Sequence, residues 1–275
     1  MVCVSFPLSE GRNRATHACA SSASRPLQPA RPPLQEEKGS GVGGTRAAVW
    51  PKRVLAEAHP KGKGRVAPSG YNGHMSPPTL DFWFEFASTY SYPAAMRAAS
   101  LAERAGVALR WRPFLLGPIF KAQGWNDSPF NLYPAKGRYM WRDVARICAA
   151  QGLPFKRPAI FPQNTLLAAR VALVALDQGW GEDYCRAIYT AEFVDGCNIG
   201  LAEAVAAVIA AQGKDAESVL AEAGSERIKL ALREQVAEAQ RLGIFGAPSF
   251  VTADGELFWG NDRLETALQW TGGHK

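Results

Sequence analysis

Apolar positions along the chain follow two patterns after residue 78. Residues 80–86 are almost continuously bulky or aromatic, which predicts a short buried strand, and residues 94–105 are rich in strong helix formers. Residues 107–115 alternate enough to predict a second strand after the turn signal Ala105-Gly106. Because a strand, a helix and a strand follow one another, we expect a right-handed crossover between two parallel strands.

The chain from about residue 117 to 246 is predicted to be almost wholly helical. Apolar residues recur there at helical spacing, and Gly and Pro separate the segments. Ser225 can cap the last of these helices, and Gly243 can end it in the left-handed conformation. The predicted segments lie near 136–151, 163–179, 181–193, 200–212, 215–223 and 225–242.

Two short apolar runs, 245–251 and 256–260, flank the turn signal Asp254-Gly255 and predict an antiparallel hairpin. A helix over about 261–270 closes the chain. The order is therefore βαβ, a helical insertion, then ββα. This order predicts an α/β, thioredoxin-like fold with a large all-helical insertion at about 117–246 within one domain, residues 75–275.

Charge separates residues 1–74 from the rest of the chain. They contain eleven Lys or Arg and four Asp or Glu, whereas residues 75–275 contain 20 basic and 21 acidic side chains. We expect a disordered basic tail, because Pro, Gly, Ser and Ala dominate it and large apolar residues are few. It could be a transit peptide, an interaction arm or sequence upstream of the true start, and we favour the last. Because the domain is near neutral, we expect it to bind neither nucleic acid nor membrane, and because the sequence shows no apolar segment of about 20 residues, we expect a soluble cytoplasmic protein.

Histidine and cysteine usage narrows the chemistry. All four histidines lie in the tail or at His274, so the predicted domain has no imidazole for a metal site, a triad or a general base. It also has no Cys-x-x-Cys, and Cys148 and Cys185 fall in helical patterns, which favours buried structural thiols. We therefore expect no metal, and most common hydrolase mechanisms are excluded.

The switch from the first strand to the first helix carries hydroxyls at Ser88 and Ser91. The free N–H groups and positive dipole end of a helix stabilise an anion, so a hydroxyl there can donate a hydrogen bond to a thiolate. The alternative is that either serine merely caps the helix. In the thioredoxin layout, a Pro at the start of the third strand is typically cis and faces this helix end, and Ala247-Pro248 occupies that place. The alternative there is an ordinary trans proline.

Several ordered motifs resemble those of the 2-hydroxychromene-2-carboxylate isomerases, relatives of the kappa-class glutathione transferases. The resemblance covers nearly all of 79–271. It implies that Ser88 stands where disulfide oxidoreductases have a nucleophilic cysteine and contacts the sulfur of bound glutathione, the implied cofactor. The motifs are Asp81-Phe-Trp-Phe-Glu-Phe-Ala-Ser88-Thr-Tyr-Ser91-Tyr, Pro113-Phe-Leu-Leu-Gly-Pro-Ile-Phe-Lys121, Pro134-Ala-Lys136-Gly-Arg138-Tyr-Met, Phe161-Pro-Gln-Asn164-Thr-Leu and Phe258-Trp-Gly260-Asn-Asp262-Arg-Leu264.

The resemblance also implies contacts to the rest of glutathione. Ala247, beside Pro248, would hydrogen-bond the cysteinyl part through its backbone, and Asn261 and Asp262 would meet the γ-glutamyl end. An acidic side chain opposite the γ-glutamyl ammonium group would be electrostatically favourable.

The implied reaction is reversible addition of the glutathione thiolate to an unsaturated carbonyl, rotation about the resulting single bond and elimination of the thiol. Lys136, Arg138 and Asn164 are candidates for polar contacts to the substrate, a small aromatic carboxylate. For Lys136 and Arg138 the alternative is a solvated helix face, and for Asn164 it is an N-cap. Family members are commonly dimers, so we expect a homodimer.

Three alternatives to the isomerase remain at this point. A kappa-class-like glutathione transferase or peroxidase would use the same Ser88 but consume glutathione. A disulfide oxidoreductase is disfavoured, because exchange needs a protein thiolate and the motif has serines at both positions. A non-catalytic binding protein would be expected to lose Ser88 or the Ala247-Pro248 element, and the chain keeps both.

Overall fold

The computed structural model of the protein describes residues 76–273. The predicted tail, residues 1–74, lies outside the described residues, and the division of the chain near residue 75 stays a prediction. The strands are β1 Thr79–Phe84, β2 Ala108–Pro113, β3 Ser249–Thr252 and β4 Leu257–Trp259. The helices are α1 Ser91–Ala105, α2 Leu116–Ala122, α3 Pro129–Leu132, α4 Pro134–Ala150, α5 Leu166–Asp177, α6 Gly181–Thr190, α7 Ala202–Ala211, α8 Ala216–Ala223, α9 Glu226–Arg241 and α10 Leu264–Thr271.

The strands form one mixed sheet in the order β2-β1-β3-β4. β1 and β2 are parallel, with Phe82 opposite Trp111, whereas β3 runs antiparallel to both β1 and β4. The βαβ unit and the closing hairpin predicted from the sequence are therefore confirmed. Helices α2 to α9 all fall between β2 and β3, which confirms the helical insertion.

β1 is buried on both faces, and this explains its continuous apolar run. Phe82 and Phe84 pack into the larger hydrophobic cluster with α1, α5 and α6, and the Phe82 ring stacks on Phe250 with centroids 5.2 Å apart. Trp83 points to the opposite face, where Phe114 and Val236 pack against it. Burying each such side chain contributes about 1.5–3 kcal/mol, so the central strand is held from both sides.

The ends of several helices follow the predicted signals. The Ser225 hydroxyl accepts a hydrogen bond from the Ile228 N–H at the start of α9, and Gly243 follows the helix with φ 73°. The first helix begins at Ser91, earlier than the propensity pattern alone indicates. Residues 181–193 were predicted as one helix, but α6 ends at Thr190 and a π-helix follows over Ala191–Asp195. Within residues 76–273, no helix is long and apolar enough to cross a membrane.

Candidate active site

Ser88 lies in the tight connection between β1 and α1. The Ser88 N–H donates to the Glu85 carbonyl at 3.0 Å, and the Ser91 N–H donates to the Ser88 carbonyl at 3.1 Å and lies 3.3 Å from the Ser88 hydroxyl. These bonds fold the chain back just before the helix begins. The Ser88 hydroxyl therefore lies beside the first N–H of α1, whose N-cap residue is Tyr90, and it stands at the positive end of this helix.

The Ser88 hydroxyl also reaches a distant part of the chain. It donates a 2.8 Å hydrogen bond to the carbonyl of Ala247, and the Ala247–Pro248 peptide bond is cis, as predicted. Pro248 in turn accepts the Gly260 N–H at 3.0 Å, which ties the start of β3 to the end of β4. The helix entrance and the proline turn thus form one structure around a buried hydroxyl that is 8% exposed.

A cavity of about 1660 Å³ opens beside this hydroxyl. Its wall is made by the turn after β1, by α2 to α4, by the segment before α5, and by the chain on either side of β3 and β4. Of the predicted site residues, those that line the cavity are Ser88, Lys136, Asn164, Ala247, Asn261 and Asp262. Pro248 is buried behind the wall, and Arg138 is exposed outside it.

The predicted γ-glutamyl contacts lie at the turn after β4. Arg97 of α1 donates to the backbone carbonyl of Asn261 at 2.8 Å and to its side-chain Oδ1 at 3.1 Å, so the Asn261 amide nitrogen is left as the donor for a ligand. Asp262 is exposed and lies 3.5 Å from Arg263. Such an exposed ion pair is weak, and its carboxylate is open to an ammonium group.

The three predicted substrate contacts differ in position. Lys136 lines the cavity with its ammonium 5.0 Å from the centre of the Tyr133 ring. Asn164 also lines it, and its side-chain oxygen accepts the Leu166 N–H at 3.1 Å, although the N-cap residue of α5 is Thr165. Arg138 lies on a solvated helix face, and the structure does not bring it to the other site residues.

An aromatic pair that the sequence analysis missed covers one side of the cavity. The rings of Phe245 and Trp259 lie 4.9 Å apart, and both are about half exposed. Gly246 is required here, because a Cβ at this position would collide with the Trp259 indole nitrogen. The pair forms an apolar surface beside Ala247 on which a flat ring can stack.

Glu85 is a further residue that the sequence analysis missed. It lines the cavity, and its carboxylate accepts the Leu116 N–H at 2.9 Å, the Thr165 hydroxyl at 2.5 Å and the Ala87 N–H at 3.4 Å. Burial raises the pKa of Glu85, while these hydrogen bonds oppose the shift. In the sequence, the signal for Glu85 was an acidic residue at the end of an otherwise apolar predicted strand.

Tyr90 adds a phenol to the cavity wall. Its hydroxyl donates to Asp143 at 3.1 Å, and both residues line the cavity. Burial, followed by the negative charge of Asp143, raises the pKa of Tyr90, so the phenol stays protonated. Because the Tyr90 proton is engaged by Asp143, this hydroxyl can serve a ligand as a hydrogen-bond acceptor.

Two free cysteine thiols lie in α4 and α6, and neither is suited to nucleophilic chemistry. Cys148 and Cys185 are free and buried, and burial raises the pKa of Cys148 to about 11 and that of Cys185 well above its usual range. A protonated thiol is a poor nucleophile, so neither serves thiol–disulfide exchange. Among residues 76–273, no group of His, Cys, Asp and Glu side chains could hold a metal ion.

Comparisons with known proteins identify a family and several relatives of this chain. The family model of the DSBA-like thioredoxin domain matches residues 79–269. A 2-hydroxychromene-2-carboxylate isomerase of Sphingobium xenophagum is 31% identical over 189 residues, which are 68% of this chain and 94% of that protein. A kappa 1 glutathione S-transferase of Caenorhabditis elegans is 28% identical over 68% of this chain and 88% of that protein. The solved structure of a 2-hydroxychromene-2-carboxylate isomerase superimposes with a TM-score of 0.64 and 25% identity, covering 71% of this chain and 95% of that one.

Proposed function

We propose that this chain, which belongs to the DSBA-like thioredoxin domain family, is a glutathione-dependent cis–trans isomerase of the 2-hydroxychromene-2-carboxylate type. The observation that carries the proposal is the hydrogen bond from the Ser88 hydroxyl to the carbonyl of Ala247 at the edge of the large cavity. It puts a hydroxyl donor, a helix N-terminus and a backbone acceptor where a thiol tripeptide can bind. The isomerase relatives support the reaction class.

Glutathione binding requires the Ser88 proton to change partners. A serine hydroxyl has one proton, and without ligand this proton is donated to the Ala247 carbonyl. When the cysteinyl part of glutathione binds, its N–H takes over the Ala247 carbonyl, and the Ser88 hydroxyl turns to the sulfur. The hydroxyl and the α1 dipole then lower the pKa of the thiol below its reference value of about 8.5.

The γ-glutamyl end of glutathione fits the turn after β4. Because Arg97 occupies the amide oxygen of Asn261, the Asn261 side chain presents only its N–H groups and suits a carboxylate or carbonyl oxygen. The Asp262 carboxylate suits the ammonium group. The two residues thus match the zwitterionic end of the tripeptide.

The remaining cavity accommodates an aromatic carboxylate beside the thiolate. Its apolar surface includes the Phe245 and Trp259 rings, and Lys136 supplies a positive charge for the substrate carboxylate. The thiolate adds to the unsaturated carbonyl, the double bond becomes a single bond that rotates, and expulsion of the thiol restores the double bond as the trans isomer. Donors that face the enolate formed on addition stabilise the intermediate.

The amount of glutathione consumed distinguishes the isomerase from the second candidate, a kappa-class-like transferase. The kappa relatives favour that candidate. The full chain is incubated with 2-hydroxychromene-2-carboxylate and a substoichiometric amount of glutathione, and both are quantified by mass spectrometry. An isomerase converts many equivalents of substrate and returns all the glutathione. A transferase stops when glutathione is exhausted and leaves a conjugate. Failure to turn over the substrate in either way refutes the proposal.

We also propose a cytoplasmic homodimer. Exposed apolar side chains at Leu132 and Tyr133, next to the start of α4, support a self-association surface near the cavity. Sedimentation of the full chain tests the dimer, because a protomer mass at micromolar concentration contradicts it.

A further inference from the structure

We propose that Glu85 is the acid–base catalyst that opens the ring of the closed substrate. This assignment rests on the proposed isomerase function. As its name states, 2-hydroxychromene-2-carboxylate carries a hydroxyl group and the ring oxygen on the same carbon, and it is therefore a cyclic hemiketal. Thiolate addition needs the open form with its free carbonyl, so a proton must first leave the hydroxyl and another must reach the ring oxygen.

The Glu85 carboxylate is held in place by hydrogen-bond donors at the cavity wall. The carboxylate accepts hydrogen bonds from the Leu116 N–H, the Thr165 hydroxyl and the Ala87 N–H, and the Phe86 backbone N–H also interacts with it. Two of these donors share Oε1, whereas Leu116 donates to Oε2. Glu85 lines the cavity that Ser88 also lines.

The other acidic residues that line the cavity are hydrogen-bonded, paired with an arginine or exposed to solvent. Asp143 accepts from Tyr90 and from Arg146, and Asp262 lies beside Arg263. Asp127 is exposed and accepts from its own turn. Among the described residues, Glu85 is the one buried carboxyl group that lines this cavity.

Groups from α6 and from the π-helix also act on Glu85. Tyr189 of α6 donates to its backbone carbonyl at 3.0 Å, and Glu192 of the π-helix is a buried acid whose carboxylate has no hydrogen-bond partner. Burial, then the charge of Glu85, raises the pKa of Glu192 well above its usual range, so Glu192 stays protonated and leaves ionisation to Glu85. Burial also raises the pKa of Glu85, while its hydrogen bonds oppose the shift.

The ring-opening step is balanced without any further reactant. The Glu85 carboxylate removes the hydroxyl proton, the hydroxyl oxygen becomes the ketone oxygen, and the bond from that carbon to the ring oxygen breaks. The ring oxygen leaves as a phenoxide and receives the proton from the Glu85 carboxyl group. Glu85 returns to its ionised form, and the open cis substrate is ready for thiolate addition.

The experiment compares two substrates in the full-length protein and in Glu85→Gln. One is the closed hemiketal, and the other is its open cis methyl ether, which cannot close because the phenol oxygen is blocked. We expect Glu85→Gln to lose about 10²–10⁴-fold in kcat/KM on the hemiketal, the usual contribution of general acid–base catalysis, and less than about 10-fold on the ether. An equal loss on both substrates, or no loss on the hemiketal, overturns the assignment.

The pH profile gives a readout that a structural role would not move. For the wild-type protein, we expect kcat/KM on the hemiketal to rise with pH as Glu85 ionises. We call this rise the Glu85 limb of the pH profile, and the profile for the ether lacks it. Thr165→Val removes a donor to the carboxylate and shifts the limb to higher pH, whereas Asp143→Asn, a matched acid of the same wall, leaves it in place. A limb that Thr165→Val does not shift overturns the proposal. Wild type that isomerises neither substrate refutes the proposed function itself.

Discussion

Replacing Ser88 by Ala tests the thiol site most directly. The change removes the hydroxyl that donates to the Ala247 carbonyl at 2.8 Å in the free protein and to the sulfur in the proposed complex. A hydrogen bond to a charged group contributes about 1.5–3 kcal/mol, and one pKa unit corresponds to about 1.36 kcal/mol. We therefore expect the pKa of bound glutathione to rise by about 1–2 units in Ser88→Ala.

The same substitution also affects folding. It leaves the Ala247 carbonyl without its hydroxyl donor, which costs about 1–3 kcal/mol when the group is buried, whereas the Ser91 N–H keeps its bond to the Ser88 carbonyl. Because Ala247 lines the cavity, water can replace the hydroxyl there, and we expect the low end of that range. Urea unfolding of both proteins separates this loss from the effect on the thiol.

The measurement is the ultraviolet absorbance of the bound thiolate as a function of pH, at glutathione concentrations that saturate each protein. Ser91→Ala is the matched control, because Ser91 is at the same helix end but is fully buried and does not line the cavity. An unchanged thiol pKa in Ser88→Ala, or an equal shift in Ser91→Ala, would show that Ser88 does not contact the sulfur.

Three further predictions concern stability and substrate contacts. The raised pKa of Glu192 means that the folded chain keeps a proton that the unfolded chain loses near pH 4.5, so this group favours folding at low pH and disfavours it as pH rises. Urea unfolding at pH 5 and pH 8 should show that the free energy of unfolding depends less on pH in Glu192→Gln than in wild type. The same pH dependence in both proteins would contradict this. Asn164→Ala should lower the free energy of unfolding by about 1 kcal/mol through loss of its bond to the Leu166 N–H; a raised KM as well would establish the substrate contact. Lys136→Met should raise KM for the aromatic carboxylate at unchanged glutathione affinity, whereas the matched Arg138→Met should not; equal effects would refute the cavity assignment.

The sequence determined the order of elements and the hydroxyl at the helix entrance. Local signals sufficed there, because hydrophobic period, capping residues and turn chemistry act over a few neighbouring positions. Ser225, Gly243 and the Asp254-Gly255 turn were predicted in this way. The π-helix after α6 was not predicted, since its residues continue the same helical pattern.

Only the tertiary structure decided which side chains share the cavity. The contact between Ser88 and Ala247 joins positions 159 residues apart, and no local pattern reports such a distance. Lys136 and Arg138 are two residues apart in one helical turn and were indistinguishable in the sequence, yet only Lys136 faces the cavity. The proposed role of Glu85 depends on Leu116 and Thr165, which belong to two other parts of the chain, because a buried carboxylate is defined by the donors and the low dielectric that folding assembles around it.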